Sequence, residues 1–357
     1  MNTIGKNLKI TIFGESHGNG VGAVVDGLPA GIELPHDLIR NDLDRRRPGS
    51  KPFVTTRKEP DHYEILSGVR NDITNGYPLT VFVKNSDVDD RDANVYADAP
   101  RPGHADYPAI IKHHGMADIR GGGESSGRMT VPIVIAGAIA KHLLMKKEIF
   151  IYGYTAQIGR VKIPETIPED LLKKAWSMNP YSVPDAALYE KMVEEVGQFY
   201  AQGDSVGGVI ECISSRMPVG MGDPFFNSME SVISSYLFSI PGIKGVYFGD
   251  GLNTPYIPGS KFNDELYVEN DAIRLKTNHN GGINGGLTNG NPLKIGAMVR
   301  PPSSIKKNQK TVRLSTKEEV ELTLKGRYDP CIVPRMVVVM ESMIALSIAD
   351  LVAGDDL

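Results

Sequence analysis

Residues 129–144 read MTVPIVIAGAIAKHLL. The length and alanine content of this run are typical of a helix that is buried in a protein core. The triplet Gly121-Gly122-Gly123 lies shortly before it and favours a loop. The segment therefore predicts a core helix that a glycine-rich loop introduces.

Strand and helix patterns flank this core helix. Residues 9–13, 21–25 and 79–84 have the β-branched character of strands, and residues 37–47 are predicted as a short helix that ends at Pro48-Gly49. The final apolar run, residues 336–352, is expected to begin as a strand and to continue as a helix. This mixture predicts an α+β fold.

One pattern of glycine, serine and proline occurs twice in the chain. Gly14-Glu15-Ser16-x-Gly18 and Pro29-x-Gly31-x-x-x-Pro35 match Gly203-Asp204-Ser205-x-Gly207 and Pro218-x-Gly220-x-x-x-Pro224, and Thr74-Asn75-Gly76-x-Pro78-Leu79 matches Thr288-Asn289-Gly290-x-Pro292-Leu293. Chance recurrence is one explanation, because the chain has 38 Gly and 24 Pro. We favour a duplication in which two αβ halves, residues 10–150 and 199–355, share one core.

Composition excludes several classes of protein. A net charge of -4 argues against nucleic-acid binding. The N-terminus turns polar early and no run reaches about 18 apolar residues, so we expect neither a signal peptide nor a membrane span. Cys212 and Cys331 are too few for a disulfide framework, and His113-His114 lack the spacing of metal ligands. We expect a soluble, cytoplasmic protein without a metal site.

The segment Gly14-Glu15-Ser16-His17-Gly18 has two interpretations. It matches the G-x-S-x-G pattern of a hydrolase, in which Ser16 would be the nucleophile. That pattern needs a helix directly after the serine, whereas glycines and a β-branched run follow here. We therefore favour His17 as the functional residue, because imidazole titrates near neutral pH and suits proton transfer.

A second histidine lies in a comparable loop, Arg101-Pro102-Gly103-His104-Ala105-Asp106. Proline and glycine give this loop a stiff backbone, and charged residues flank the imidazole. Two such loops would supply two proton donors.

Three arginines follow one another in Asp44-Arg45-Arg46-Arg47-Pro48-Gly49. A solvated helix end that complements the helix dipole is one interpretation. However, three consecutive side chains cannot share one helical face, and guanidinium groups are preferred partners of phosphate and carboxylate. We predict local anion binding at this segment.

Two further loops combine cations with hydroxyl groups. Residues 120–128, RGGGESSGR, lead into the core helix and offer backbone N–H groups to a phosphate, without the Lys-Ser/Thr ending of a P-loop. Residues 300–304, RPPSS, repeat the combination on a stiff backbone. For residues 120–128 we favour a phosphate or cofactor contact. For residues 300–304 a plain surface loop is the alternative.

These blocks together resemble the chorismate synthase family over nearly the whole chain. The matching blocks are FGESHG at 13–18, DRRRPG at 44–49, RPGHAD at 101–106, RGGGESS at 120–126, GGINGG at 281–286 and GRYDPC at 326–331. Several long blocks in one order are more specific than any single motif. The resemblance implies a single domain over residues 1–357, with a layered β-α-β-α sandwich.

The resemblance also implies a reaction. Members of this family carry out a 1,4-elimination of phosphate from 5-enolpyruvylshikimate 3-phosphate, which gives chorismate for aromatic amino-acid biosynthesis. Reduced flavin mononucleotide (FMN) is required without net redox change, and the flavin lends an electron to the substrate transiently. Two sources of reduced flavin stay open: NADPH used by the enzyme itself, or an external flavin reductase. The resemblance further implies a homotetramer.

Roles for individual residues follow from the same resemblance. His17 would donate a proton near the flavin, His104 would protonate or stabilise the departing phosphate, and Asp329 would accept a proton from flavin N5. Arg45, Arg46 and Arg47 would bind substrate or NADPH. The flavin site would comprise Glu124, Ser125, Ser126, Pro241, Gly242, Gly285, Arg300, Pro301, Pro302, Ser303, Ser304 and Arg327.

Some positions depart from the family pattern. Glu124 stands where the family often has arginine, Gly127 where alanine is usual, and Met129 where an acidic residue is common. None of these changes removes a proposed acid or base. A hydrolase that uses Ser16 and a non-catalytic anion-binding oligomer are the competing hypotheses.

Overall fold

Strands and helices alternate along the computed structural model, which describes residues 1–49, 51–55, 59–87, 93–326 and 328–353. The strands are β1 (Thr3–Ile4), β2 (Lys9–Gly14), β3 (Gly20–Asp26), β4 (Tyr63–Ser67), β5 (Val69–Arg70), β6 (Ile73–Thr74), β7 (Leu79–Lys84), β8 (Ile151–Ile158), β9 (Val161–Lys162), β10 (Gly208–Arg216), β11 (Ile243–Phe248), β12 (Leu266–Glu269), β13 (Ala272–Leu275), β14 (Ile283–Asn284), β15 (Leu287–Thr288), β16 (Pro292–Val299), β17 (Gln309–Arg313) and β18 (Glu318–Leu322). The helices are α1 (His36–Arg46), α2 (Ala93–Asp98), α3 (Asp106–Lys112), α4 (Thr130–Met145), α5 (Glu169–Met178), α6 (Ala186–Ala201), α7 (Met229–Phe238), α8 (Gly259–Phe262) and α9 (Val333–Val352). Short 3-10 helices occupy Arg120–Ser125, Gly127–Met129 and Gly251–Tyr256.

The first large sheet has the strand order β1-β2-β3-β7-β4, and its neighbouring strands are antiparallel. Within it, β7 alternates between buried and more exposed residues, in keeping with the two-residue period of a strand. In β7, Leu79, Val81 and Val83 are buried, whereas Thr80 and Phe82 are only half-buried. The strands predicted at residues 9–13, 21–25 and 79–84 are confirmed.

The second large sheet has the strand order β11-β16-β10-β8-β9 and is also antiparallel. Its interior strand β16 buries Leu293, Ile295, Ala297 and Val299. The protein is therefore a mixed α and β fold with antiparallel sheets, as the sequence predicted.

Two apolar helices lie between these sheets. Helix α4 contacts β2, β3 and β7 and packs along α9, which contacts β8 and β10. At their crossing, a Cβ on Gly137 would lie 2.2 Å from the Cβ of Ser342, so the glycine permits the close approach. The observed order is sheet, helix, helix, sheet.

Helix α5 contacts β8 as well, and its Leu172 lines a pocket with Tyr154, whereas a Cβ on the adjacent Gly153 would face Glu341 of α9. Since successive strand residues point to opposite faces, α5 lies on the outer face of the second sheet. The full β-α-β-α order stays a prediction.

The final apolar run is helical from Val333 to Val352. The expectation that it begins as a strand is wrong. Its β-branched residues favour a strand locally, but burial on nearly every side between α4 and the second sheet favours a helix. Pro334, in the first turn, suits the start of a helix.

One segment of the described residues, Gly127–Met145, has the length and composition of a membrane span. Within it, 89% of the most apolar window is buried inside the protein. This segment contains α4, which is therefore buried in the core of the protein.

The two large sheets share one connectivity. The first half runs β2, β3, α1, β4, β7, α4 along the chain, and the second runs β8, β10, α7, β11, β16, α9. In space, β2-β3-β7-β4 and β8-β10-β16-β11 follow the same order. Helices α1 and α4 therefore have counterparts in α7 and α9, whereas α5 and α6 lie between β8 and β10 and have no counterpart between β2 and β3.

Each half contains the same pair of hydrogen bonds, made by the side chain of a threonine. Thr74 Oγ1 donates to Pro29 O and accepts from Ile32 N, at 2.6 and 2.9 Å. Thr288 Oγ1 likewise donates to Pro218 O and accepts from Met221 N. We propose that the halves are copies of one αβ unit within a single domain. The second copy would begin at β8, before the predicted boundary at residue 199, because β8 is the counterpart of β2.

Candidate active site

A cavity of about 410 Å³ is lined by residues of both halves, a volume that is usual for small-molecule sites. Its walls come from the turn before β3, the loop before α3, the glycine-rich loop before α4 and the segment before α9. Among the described residues, the cationic lining consists of Arg46, Arg101, Arg128, Arg300, Lys325 and Arg335, and the acidic lining of Glu59, Asp87 and Asp329. Cations predominate locally although the chain is acidic, as an anion site requires.

The two predicted histidines meet at the glycine-rich loop. Gly121 and Gly122 have φ values of 56° and 92°, a conformation that favours glycine. A Cβ on Gly121 would lie 2.2 Å from His17 Nε2, and a Cβ on Gly122 would lie 3.3 Å from His104 Nε2. The imidazoles therefore pack against consecutive glycines in one cavity, although they are far apart in the sequence.

The orientation of His104 is fixed by a buried carboxylate. Its Nδ1 lies 2.7 Å from Asp106 Oδ1, and Arg101 binds the same carboxylate through Nε and Nη2 at 2.7 Å each. Burial alone would raise the pKa of Asp106, but the hydrogen bonds and charges of Arg101 and His104 hold it well below its usual range. The ionised carboxylate keeps the proton on Nδ1 and leaves Nε2 for the cavity.

Asp329 is held from two sides. Its Oδ1 accepts from the backbone N–H of Thr55 at 2.7 Å, and its Oδ2 accepts from Arg335 Nη1. Arg335 also donates through Nε to the carbonyl of Arg46 at 3.0 Å. The carboxylate is thereby fixed at the cavity wall beside the C-terminal end of α1.

Arg46 is the member of the arginine triplet that lines the cavity. It is buried and donates through Nη2 to Asp61 Oδ2 at 2.7 Å, while its buried Nε has no hydrogen-bond partner among the residues that the structure describes. Burial and the charges of Arg335 and Arg128 lower the pKa of Arg46 to about 10, and the charge of Asp61 opposes this shift. An unpaired buried donor at a cavity wall is a candidate contact for an anion.

Arg45 and Arg47 point away from the cavity. Arg45 binds both carboxylate oxygens of Glu341, at 2.6 and 2.7 Å, in the core. Arg47 pairs with Asp44 and donates to Pro60 O. Successive helical residues point about 100° apart, so one of three neighbours reaches the site. Of the three arginines, only Arg46 lines the cavity where the predicted anion contact could form.

The predicted flavin residues divide into three groups. Those that line the cavity are Ser125, Ser126, Pro241, Gly242, Arg300, Pro302, Ser303 and Ser304. Glu124, Gly285 and Pro301 do not line it: Glu124 accepts from Asn2 Nδ2 at 2.6 Å, and Gly285 lies in the turn between β14 and β15. Arg327 lies outside the described residues, as do Arg57 and Lys58.

The nucleophile-elbow interpretation of Ser16 is wrong. Its side chain is fully buried, and strand β3 rather than a helix follows the turn. A nucleophile must be accessible to its substrate. Across the described ranges, no group of three His, Cys, Asp or Glu side chains could hold a metal ion.

The model of the chorismate synthase family matches residues 8–353. The chain belongs to the chorismate synthase family. A chorismate synthase of Thermococcus kodakarensis is 46% identical over 346 residues, which cover 97% of this chain and 96% of that protein. One of Methanocaldococcus jannaschii is 44% identical over 365 residues, with coverages of 98% and 96%.

A solved structure supports the same assignment. A crystal structure of chorismate synthase matches with a TM-score of 0.76 and 26% identity, and covers 99% of this chain and 93% of that one. The protein therefore has chorismate synthase activity in the shikimate pathway, which makes it a phosphate-lyase. Membership in the chorismate synthase family implies reduced FMN as cofactor.

Sequence reasoning missed several residues around the chorismate synthase cavity. Glu59, Asp61, Asn85 and Arg335 lie at or behind its wall, where they bind backbone groups or arginines. No local pattern distinguishes them from ordinary polar residues. Only the fold brings them to the predicted motifs.

Replacing Gly121 by alanine is expected to lower kcat about 100-fold, because the new methyl group would displace His17. Steady-state chorismate formation measures this effect. Gly259→Ala is the matched control, because nothing lies within 4 Å of a Cβ at that position. Equal kcat values for the two variants would contradict the placement of His17.

Proposed function

We propose that this cavity catalyses the 1,4-elimination of phosphate from 5-enolpyruvylshikimate 3-phosphate, with reduced FMN and without net redox change. The observation that carries the proposal is the convergence of His17 and His104 on Gly121 and Gly122 within a cation-lined cavity. A phosphorylated dicarboxylate needs local cations, and the elimination needs protons at more than one point.

The residues at the cavity fit a flavin. Arg300 and the hydroxyl groups of Ser125, Ser126, Ser303 and Ser304 supply donors for a phosphate, and Ile240, Ile332, Met336 and Val339 supply apolar surface for a ring system. When bound, reduced FMN supplies the reversible electron donation that the elimination requires. Glu124, Gly285 and Pro301 do not line this cavity, so the proposed flavin contacts do not include them.

His104 is assigned the proton for the departing phosphate. Nδ1 keeps its own proton for Asp106, so the proton that is given to the phosphate is a second one, carried by Nε2. This nitrogen faces the glycine-rich loop. Arg101 lies beside the same ring, with Nη2 3.3 Å from Nδ1, and adds positive charge next to a phosphate.

His17 and Asp329 are assigned the remaining proton positions. His17 holds a proton at the glycine-rich loop, on the side of the cavity formed by Gly121. Asp329 accepts a proton at its carboxylate, which Thr55 and Arg335 hold in place. One cavity would thus contain two proton donors, His17 and His104, and one proton acceptor, Asp329, for the proton transfers of the elimination.

Arg46→Lys is expected to raise the KM for the substrate about tenfold, because lysine cannot reproduce the several fixed donors of a guanidinium group. The control is Arg47→Lys in the neighbouring position, which lies outside the cavity and should leave KM unchanged. Initial rates over a range of substrate concentrations measure both. A KM that rises equally in the two variants would show that position 46 has no special contact.

The source of reduced flavin is tested by one assay with separate arms. Under anaerobic conditions, FMN reduced by dithionite should support phosphate release, whereas oxidised FMN should not. An aerobic arm with NADPH and FMN tests reduction by the enzyme itself, and added flavin reductase tests an external source. Absence of phosphate release with dithionite-reduced FMN would overturn the proposed function.

The protein is further proposed to be a cytoplasmic homotetramer. Large apolar side chains that favour association are exposed on its surface: Phe225 and Phe226 are 87% and 93% exposed, and Val268 and Ile273 on the hairpin β12–β13 are 73% and 72% exposed. Light scattering coupled to size-exclusion chromatography measures the mass. A monomer at micromolar concentration would contradict the tetramer.

A further inference from the structure

Asp61 occupies an unusual place behind the cavity. Its carboxylate is fully buried between Arg46 and Arg128, and each oxygen accepts from one guanidinium group. Its backbone has φ of 54°, a conformation that L-residues adopt at a cost. The fold thus accepts a strained backbone in order to direct this carboxylate inward.

Hydrogen bonds connect Asp61 to the turn that carries His17, residues 15–18. Arg128, which binds Asp61, also donates through Nε to Asn85 Oδ1 at 2.9 Å. Asn85 Nδ2 donates to Glu15 O and to Gly18 O, at 2.9 Å each. The amide therefore ties together both ends of the His17 turn, and Arg128 orients the amide.

The same carboxylate balances a group of buried cations. Arg46 and Arg128 are almost completely buried, and Arg335 lies close enough to repel Arg46. Burial would raise the pKa of Asp61, but the charges and hydrogen bonds of Arg46 and Arg128 hold it below its usual range. Without the negative charge, like charges would push these guanidinium groups apart.

We propose that Asp61 is a positioning residue that sets Arg46 for the substrate anion and, through Arg128 and Asn85, sets the His17 turn. It acts on two functions from one point: anion binding through Arg46 and proton transfer through His17. This inference rests on the roles given to Arg46 and His17 in the proposed function.

Asp61→Asn keeps the side-chain volume and removes the charge. We expect kcat to fall about 10- to 100-fold and the substrate KM to rise, with an unchanged circular dichroism spectrum. The control is Asp350→Asn, a buried carboxylate that binds the backbone N–H groups of Lys6, Asn7 and Leu8 far from the cavity. It should lower the melting temperature and leave kcat and KM unchanged. An equal loss of kcat in both variants would overturn the proposal.

A double-mutant cycle separates positioning from general destabilisation. If Asp61 acts on kcat through the His17 turn, Asp61→Asn should change kcat less than about threefold in the His17→Ala background. Full multiplication of the two effects would overturn the proposal. A wild-type kcat for His17→Ala alone would instead show that the proposed function is wrong about His17.

Asn85→Asp tests the same connection if Asp61→Asn does not fold. This variant keeps an acceptor for Arg128 and removes both N–H donors to the His17 turn. We expect kcat to fall about tenfold while KM stays within about twofold, because Arg46 is untouched. A folded Asn85→Asp variant with wild-type kcat would overturn the proposal.

Discussion

Replacing His104 by alanine is expected to lower kcat for chorismate formation about 10²- to 10⁴-fold, the usual contribution of a general acid. The reason is the fixed geometry of this imidazole. Asp106 holds Nδ1 at 2.7 Å, so Nε2 can deliver a proton in the cavity, and no other described imidazole packs against Gly122. An anaerobic assay with dithionite-reduced FMN measures the chemical step without a dependence on NADPH.

The same assay includes its control. His113→Ala removes an exposed histidine outside the cavity and should leave kcat unchanged. His17→Ala should also lower kcat, because His17 is the second imidazole at the glycine-rich loop. Wild-type rates in both His17→Ala and His104→Ala would contradict the proton assignments.

The second large effect is on stability. Glu341→Gln is expected to lower the free energy of unfolding by about 3–5 kcal/mol, because it leaves buried cations without full compensation. Glu341 accepts from Arg45 at 2.6 and 2.7 Å, from Lys141 Nζ at 2.7 Å and from the backbone N–H of Gly153 at 2.8 Å. Urea denaturation followed by circular dichroism measures the loss.

A matched surface change isolates the buried charge. Glu194→Gln makes the same substitution at an exposed position of α6 and should change the free energy of unfolding by less than about 0.5 kcal/mol. If the two variants unfold at the same urea concentration, the buried charge cluster does not stabilise the fold.

The pH dependence of stability follows from the same carboxylate. Burial raises the pKa of Glu341, but Arg45 and Lys141 lower it from 4.5 to about 2. Because the folded state has the lower pKa, this contribution is complete above pH 4.5 and is lost as the pH falls towards 2. The stability of Glu341→Gln should therefore depend less on pH than that of the wild type in this window.

The sequence predicted elements whose pattern is local. The core helix is predicted from its apolar run, and strands β2 and β3 from their β-branched residues. The two histidine loops are predicted because glycine, and in the second loop also proline, lies near a side chain suited to proton transfer. The layer order came from the family resemblance and not from a local pattern, because it depends on which faces of the sheets and helices meet.

The arginine triplet shows where sequence reasoning stops. Three consecutive arginines made Arg45, Arg46 and Arg47 candidate anion ligands. Only the orientation of α1 in the fold places Arg46 at the cavity. Arg45 turns instead to Glu341, a residue almost 300 positions away in the chain. Asp61 gave no signal at all, since its function depends on two arginines brought together by the fold.

A crystal structure of the protein with FMN and 5-enolpyruvylshikimate 3-phosphate tests the central claim most directly. We expect the flavin phosphate near Arg300 and Ser303, and the substrate phosphate within hydrogen-bond distance of His104 Nε2. Arg46 should donate to a substrate oxygen through Nε, for which the described part of the chain offers no acceptor. Density for either ligand outside this cavity, with the cavity itself empty, would contradict the account.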